Sequence, residues 1–203
     1  MARTSRDLDK KLILVGQALI QEVGVSGFSL REVARLADVN LGMINYYFDG
    51  KEDFILKILS SIYMPFLEDL ENLSSEGSTP TEKLEDLLLK MAFFSRDNRQ
   101  LILLIIRDLV SGDQVVLNFV TAHFSKHFKI LHENLDEYLL SSNKEKKLKP
   151  QMMRFIIASI GLPSVILSFQ EKLNSEMMSQ EQEESNEEVK KRVENTMKAL
   201  SSF

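Results

Sequence analysis

Residues 28–54, FSLREVARLADVNLGMINYYFDGKEDF, constrain this chain more than any other stretch. They read as two short helices about a tight turn, followed at once by the start of a third. Ser29 offers an N-cap and Glu32 stands three residues on, the spacing of a capping box. Val33 and Ala34 turn inward, and small Ala37 lets a second helix approach closely. Asp38 falls in the turn, where the backbone is asked for a left-handed conformation that Asp tolerates better than most. Asn40 is the next N-cap and opens a helix over 41–48, with Ile44 and Phe48 four apart on one face. Leu41, Met43, Asn45, Tyr46 and Tyr47 take the other faces, and one of the two tyrosines is expected to pack inward with Phe48. The pattern is a helix-turn-helix, whose second helix enters the DNA major groove.

A net charge of −5 looks wrong for a DNA binder until it is divided along the chain. Residues 1–60 hold eight Lys/Arg (Arg3, Arg6, Lys10, Lys11, Arg31, Arg35, Lys51, Lys57) against eight Asp/Glu, so the whole deficit lies beyond them. A neutral head predicts modest non-specific affinity, because that affinity rests on cations placed at phosphates.

The rest of the chain keeps the helical period, with few Gly or Pro and no sustained alternation, so the fold class is all-α. Leu8, Leu12, Val15, Leu19 and Val23 form one apolar stripe that Gly24 ends. A longer helix starts near Lys51, and 74–80 is a loop by composition. Helices are expected over 81–95, 99–110, 114–140 and 151–173, the last bending at Gly161-Leu162-Pro163. The acidic stretch 174–188 reads as partly disordered, and Val189, Val193, Met197 and Leu200 mark a closing helix. The domain division predicted is a DNA-binding head, 1–52, and a helical body, 53–203.

The head resembles the TetR family of bacterial transcriptional regulators. The likeness rests on Ser29-Leu30-Arg31-Glu32-Val33-Ala34, Ala37-Asp38-Val39-Asn40, Gly42, Asn45-Tyr46-Tyr47-Phe48 and Lys51-Glu52. Two positions depart: Asp38 stands where the family usually has Gly, and Asn45 where it often has Tyr. The resemblance implies an all-α homodimer that binds a palindromic double-stranded DNA operator and is released by a small-molecule effector. It implies a DNA-binding set of Ser29, Arg31, Asn40, Leu41, Gly42, Met43, Asn45, Tyr46, Tyr47 and Lys51. Within that set Arg31, Leu41, Gly42 and Met43 would face bases, Arg31 taking guanine O6 and N7 and the apolar pair thymine methyls. Ser29, Asn45, Tyr46, Tyr47 and Lys51 would hold the phosphates and sugars that fix register.

For the body, the resemblance implies an effector cavity, and the Phe- and Met-rich composition suits an apolar or aromatic ligand. Phe66, Met91, Phe94, Phe119, His123 and Phe155 are the expected lining. A dimer seam is expected along Phe155, Ile160, Val165 and Phe169 together with Val193 and Met197 of the last helix. His123 and His127 have a spacing that can chelate a metal, but no Cys exists and no third ligand lies near, so neither metal nor cofactor is expected. Enzyme signatures such as a glycine-rich phosphate loop or Gly-x-Ser-x-Gly are missing. The N-terminus carries no signal-peptide pattern, and the uncharged run Phe155–Phe169 reads as too short to span a bilayer, so a cytoplasmic protein is expected. Two other readings stay open: a helical module whose head binds protein, and an activator of the same fold.

Overall fold

The computed structural model describes residues 2–73, 78–173 and 184–203. The helices run α1 (Ala2–Val23), α2 (Leu30–Ala37), α3 (Leu41–Tyr47), α4 (Gly50–Glu71), α5 (Pro80–Asp97), α6 (Arg99–Val110) and α7 (Gln114–Ser141). A short 3-10 turn, Lys146–Leu148, leads into α8 (Lys149–Ile156), a π turn (Ile157–Gly161), α9 (Leu162–Leu173) and α10 (Asn186–Ser202). No strand occurs among the described residues. Two compact units result: residues 1–65 with 104–124, and residues 66–103 with 125–203. The division falls inside α4, α6 and α7.

The first unit is built on the α1 stripe, but its deepest residues include Ile20 beside the expected Leu12 and Leu19. Gly16 is forced by packing, since a Cβ there would run into Ile58. In the part of α4 that belongs to this unit Phe54, Ile55, Ile58, Leu59 and Tyr63 are buried, while Leu56 is exposed. Within the 104–124 portion, the buried Asp108 carboxylate takes the Val25 N–H (2.7 Å), the Ser26 N–H (3.2 Å) and the Ser26 hydroxyl (2.8 Å). Arg107 completes the knot, donating to Asp108 (2.6 Å) and to the Val23 carbonyl (3.0 Å). Gly24, at φ +75, leaves room for both side chains; a Cβ there would strike the Arg107 guanidinium and come within 2.9 Å of Asp108 Oδ2.

The second unit has its core among Leu84, Leu87, Leu88, Leu131, Leu135, Leu139, Met152, Ile156, Ile160, Val189, Val193 and Leu200. Both α5 and α10 begin on full capping boxes, Thr79 with Glu82 and Ser185 with Glu188. The second box starts its helix inside the acidic stretch, so that residues 186–188 are helical. Residues 174–183, the rest of that stretch, lie outside the described residues. His127 is buried between Phe66 (6.3 Å between ring centroids) and Phe128 (4.5 Å), and burial pulls its pKa down to about 4.

The uncharged run Phe155–Phe169 lies within a longer helical stretch, Lys146–Gln170, whose 25 residues are, by length and composition alone, long and apolar enough to cross a membrane. One side of it is committed to the core of its own unit, where Met152, Ile156, Ile160, Ser164 and Ser168 are buried.

Candidate nucleic-acid interface

The helix-turn-helix is held from beneath by aromatic packing. Phe48 at the end of α3 meets Phe54 of α4 at 4.2 Å, and Phe28 before α2 meets the same ring edge-on at 5.8 Å. Val33, Ala37 and Ile44 close the space above them, each with no exposed surface. The turn follows the sequence expectation: Asp38 is left-handed at φ 55, ψ 51, and its N–H returns to the Ala34 and Arg35 carbonyls. Asn40 caps α3 through its side-chain oxygen, which accepts the Met43 N–H at 3.0 Å. Gly42 protects that cap, since a Cβ would come within 3.1 Å of Asn40 Oδ1.

One local expectation fails. Ser29 occupies the N-cap of α2 but makes no side-chain capping bond. Glu32 is drawn instead to Arg35, one turn on, which donates through Nε (3.0 Å) and Nη2 (2.6 Å). A charge-assisted, two-pronged contact outcompetes the neutral return to a backbone N–H. The Arg35 hydrogen bonds hold the Glu32 carboxyl below its usual range.

This framework leaves one set of side chains exposed. Arg31 on α2, Leu41, Gly42, Asn45 and Tyr46 on α3, and Lys51 at the start of α4 face outward, Tyr46 with 79% of its surface free. Ser29 and Met43 are half-buried, and Asn40 is exposed beside its cap. Tyr47 is the tyrosine that turns inward, its ring 6.4 Å from Phe48 and edge-on to Tyr46 at 5.2 Å. Beside Tyr47 lies a cavity of about 520 Å³ lined by Asp9, Lys10, Ile13, Leu14, Phe48 and Lys57. Lys57 is pinned there, bonded to Asp53 (2.7 Å) and lying 5.2 Å over the Phe48 ring.

Sequence reasoning passed over two contributors. Lys11 reaches across from α1 to cap the C-terminus of α2, its ammonium 2.6 Å from the Ala37 carbonyl. Asp108, with its hold on the loop between α1 and α2, lies 83 residues from Val25. Nothing local announces either contact.

The residues expected to line an effector cavity fall in both units. In the second, Phe66 stacks on Phe94 at 4.0 Å, and Phe66, Met91 and Phe155 are half-buried against the core. Phe155 also borders a cavity of about 370 Å³ with Ser159, Lys191, Arg192, Asn195 and Thr196. In the first, Phe119 is buried and packs on His123 at 4.6 Å. Of the residues expected along a dimer seam, Ile160 and Val193 are buried in the core of their own unit, at 1% and 0% exposed. Phe155, Val165 and Met197 are half-buried, and Phe169 is 54% exposed. The large apolar residues exposed on the 157–169 stretch are Ile157, Leu162, Ile166 and Phe169.

Residues 12–58, which contain this interface, match the family described as bacterial regulatory proteins, tetR family. The chain is 29% identical over 129 residues to the probable HTH-type transcriptional regulator YttP of Bacillus subtilis (strain 168), a match spanning 63% of this chain and 62% of that relative. In fold it is similar to the transcriptional regulator FadR of Bacillus subtilis, solved in complex with stearoyl-CoA, with a TM-score of 0.72 at 18% identity over 95% of this chain and 97% of that one. A transcriptional regulator from Rhodococcus sp. Rha1 shares the fold at a TM-score of 0.68 and 14% identity, over 96% of each chain. With the turn, the caps and the outward side chains of α2 and α3 in place, and with these matches, the head of this chain is similar to that of the tetR family of bacterial regulatory proteins.

Proposed function

We propose that this protein is a ligand-responsive repressor that binds a palindromic operator as a homodimer and is released by a small apolar effector. The observation that carries the DNA half is the outward set Arg31, Leu41, Asn45 and Tyr46, presented on a framework held by the Asn40 cap and the Phe48–Phe54 packing. Arg31 is the one strong polar base reader, Leu41 and Met43 supply methyl contacts, and Ser29, Asn45, Tyr46, Tyr47 and Lys51 grip the backbone. TetR-family regulators bind DNA and small-molecule effectors and are dimeric, which supports two heads on two half-sites. The proposed seam runs along the exposed Ile157, Leu162, Ile166 and Phe169, with Val165 at its margin. Function on DNA places the protein in the cytoplasm, as a regulator rather than an enzyme.

For the effector, a long acyl chain is the reading best supported, because FadR of similar fold was solved with stearoyl-CoA. The half-buried Phe66, Met91 and Phe94 offer an apolar lining of the required kind. Release follows from population shift: effector binds best to a form whose recognition helices no longer fit successive major grooves, about 34–36 Å apart. Coupling is reciprocal, so operator must weaken the effector by the same factor. Stearoyl-CoA titrated into a protein–operator complex is expected to release the DNA in a gel shift, and to bind free protein more tightly than complex. An operator affinity that ignores saturating stearoyl-CoA would remove the acyl-chain reading.

A further inference from the structure

The apolar face of α8 and α9 does not follow an ordinary helical period. Its exposed members, Ile157 (42%), Leu162 (44%), Ile166 (52%) and Phe169 (54%), are spaced five, four and three apart. At 3.6 residues per turn, Phe169 would lie about 120° around the helix from Ile157. The buried face has the same difficulty: Ile156, Ile160, Ser164 and Ser168 step by four throughout, and would drift by about 120° as well. Between the two halves sits the π turn, where the Leu162 N–H reaches back five residues to the Ile157 carbonyl. It absorbs one residue, and both misalignments fall to about 20°.

The turn is held by three devices. Pro163 has no N–H to return to the Ser159 carbonyl, which removes the regular helical bond at that point. Arg192 of α10 donates to the Ile160 carbonyl at 3.0 Å, and Ser95 of α5 donates to the Gly161 carbonyl at 3.1 Å. Arg192 is itself fixed by Glu184 at 2.9 Å, both side chains being nearly buried.

We propose that this π turn is a register device, rotating α9 so that Ile157, Leu162, Ile166 and Phe169 form one continuous stripe that pairs with the same stripe of a second copy. The inference rests on the homodimer reading above. A second copy is the occupant that fits, because no charge occurs from Phe155 to Phe169 and an uncharged face is complementary to itself.

The test uses the full chain with two length variants. Deleting Ala158, which is exposed, removes the absorbed residue and keeps both faces aligned without the π turn, although Pro163 still leaves one backbone bond unmade. Inserting one alanine after Ala158 adds a rotation of about 100° that the turn cannot absorb. By sedimentation velocity and thermal unfolding, the wild type and the deletion are expected to dimerise alike and melt within a few degrees of each other. The insertion is expected to weaken the dimer at least about tenfold and to lower the melting temperature. A deletion variant that is monomeric or unfolded while the wild type dimerises would overturn the register inference alone. A wild type that is monomeric, or a Leu162→Glu variant that dimerises unchanged, would overturn the pairing itself.

Discussion

Replacing Asp108 by alanine is expected to cost about 3 kcal/mol of stability, read as a fall of several degrees in melting temperature. The carboxylate is buried and accepts from the Val25 and Ser26 N–H groups, the Ser26 hydroxyl and Arg107. Alanine leaves the buried Val25 N–H without its acceptor and removes the charge-assisted contacts together. Burial pushes this carboxyl up, and the bonds from Arg107, Ser26 and Val25 outweigh that and bring it below the usual value. Its contribution is therefore present above the unfolded carboxylate range and is lost only as pH falls below it. Asp108→Asn keeps one acceptor oxygen and is expected to lose less. An alanine variant that melts with the wild type would show that water serves the loop equally well.

His127 produces the second large effect, at a higher pH. Burial among Phe66 and Phe128 lowers its pKa from 6.5 to about 4, so the imidazole is neutral in the folded chain. A depressed folded pKa gives stability that is complete above the unfolded value and is lost as pH falls toward the folded one. The window is pH 6.5 to about 4, and the loss across it is at most about 3 kcal/mol at 1.36 kcal/mol per unit. His127→Phe is expected to flatten the stability profile in that window and leave the carboxylate region below it unchanged. A wild-type profile that is flat from pH 6.5 to 4 would mean that the imidazole takes its proton without cost.

How much of this was legible in the sequence depended on distance along the chain. The turn at Asp38, the cap at Asn40 and the helix end at Gly24 were readable because each is settled within four residues by backbone sterics and a neighbouring N–H. The Ser29–Glu32 box failed within the same range, because Arg35 offers Glu32 a stronger partner one turn away. Asp108 could not be assigned at all, since the loop it holds, Val25 and Ser26, lies more than 80 residues off. The dimer face shows a different limit. Ile160, expected on the seam, is buried in the core of its own unit, and Ile157 and Leu162, on either side of the π turn, are exposed instead. A local change of period is set by Pro163 together with tertiary bonds from Ser95 and Arg192, and only the first of these is written nearby.

The central claim is that α2 and α3 read DNA as a pair of heads, with Arg31 as the principal base reader. Selection from random-sequence DNA, run in parallel on the wild type and on Arg31→Ala and Lys51→Ala variants, tests it most directly. The wild type is expected to enrich a palindrome whose half-site centres lie one helical turn apart. Arg31→Ala is expected to lose preference for one guanine in each half-site by about 1–3 kcal/mol, or roughly 5- to 150-fold. Lys51→Ala is expected to weaken all sequences alike, with a salt dependence lower by about one. A wild type that enriches no palindrome, or an Arg31→Ala variant that keeps the same guanine, would contradict the account.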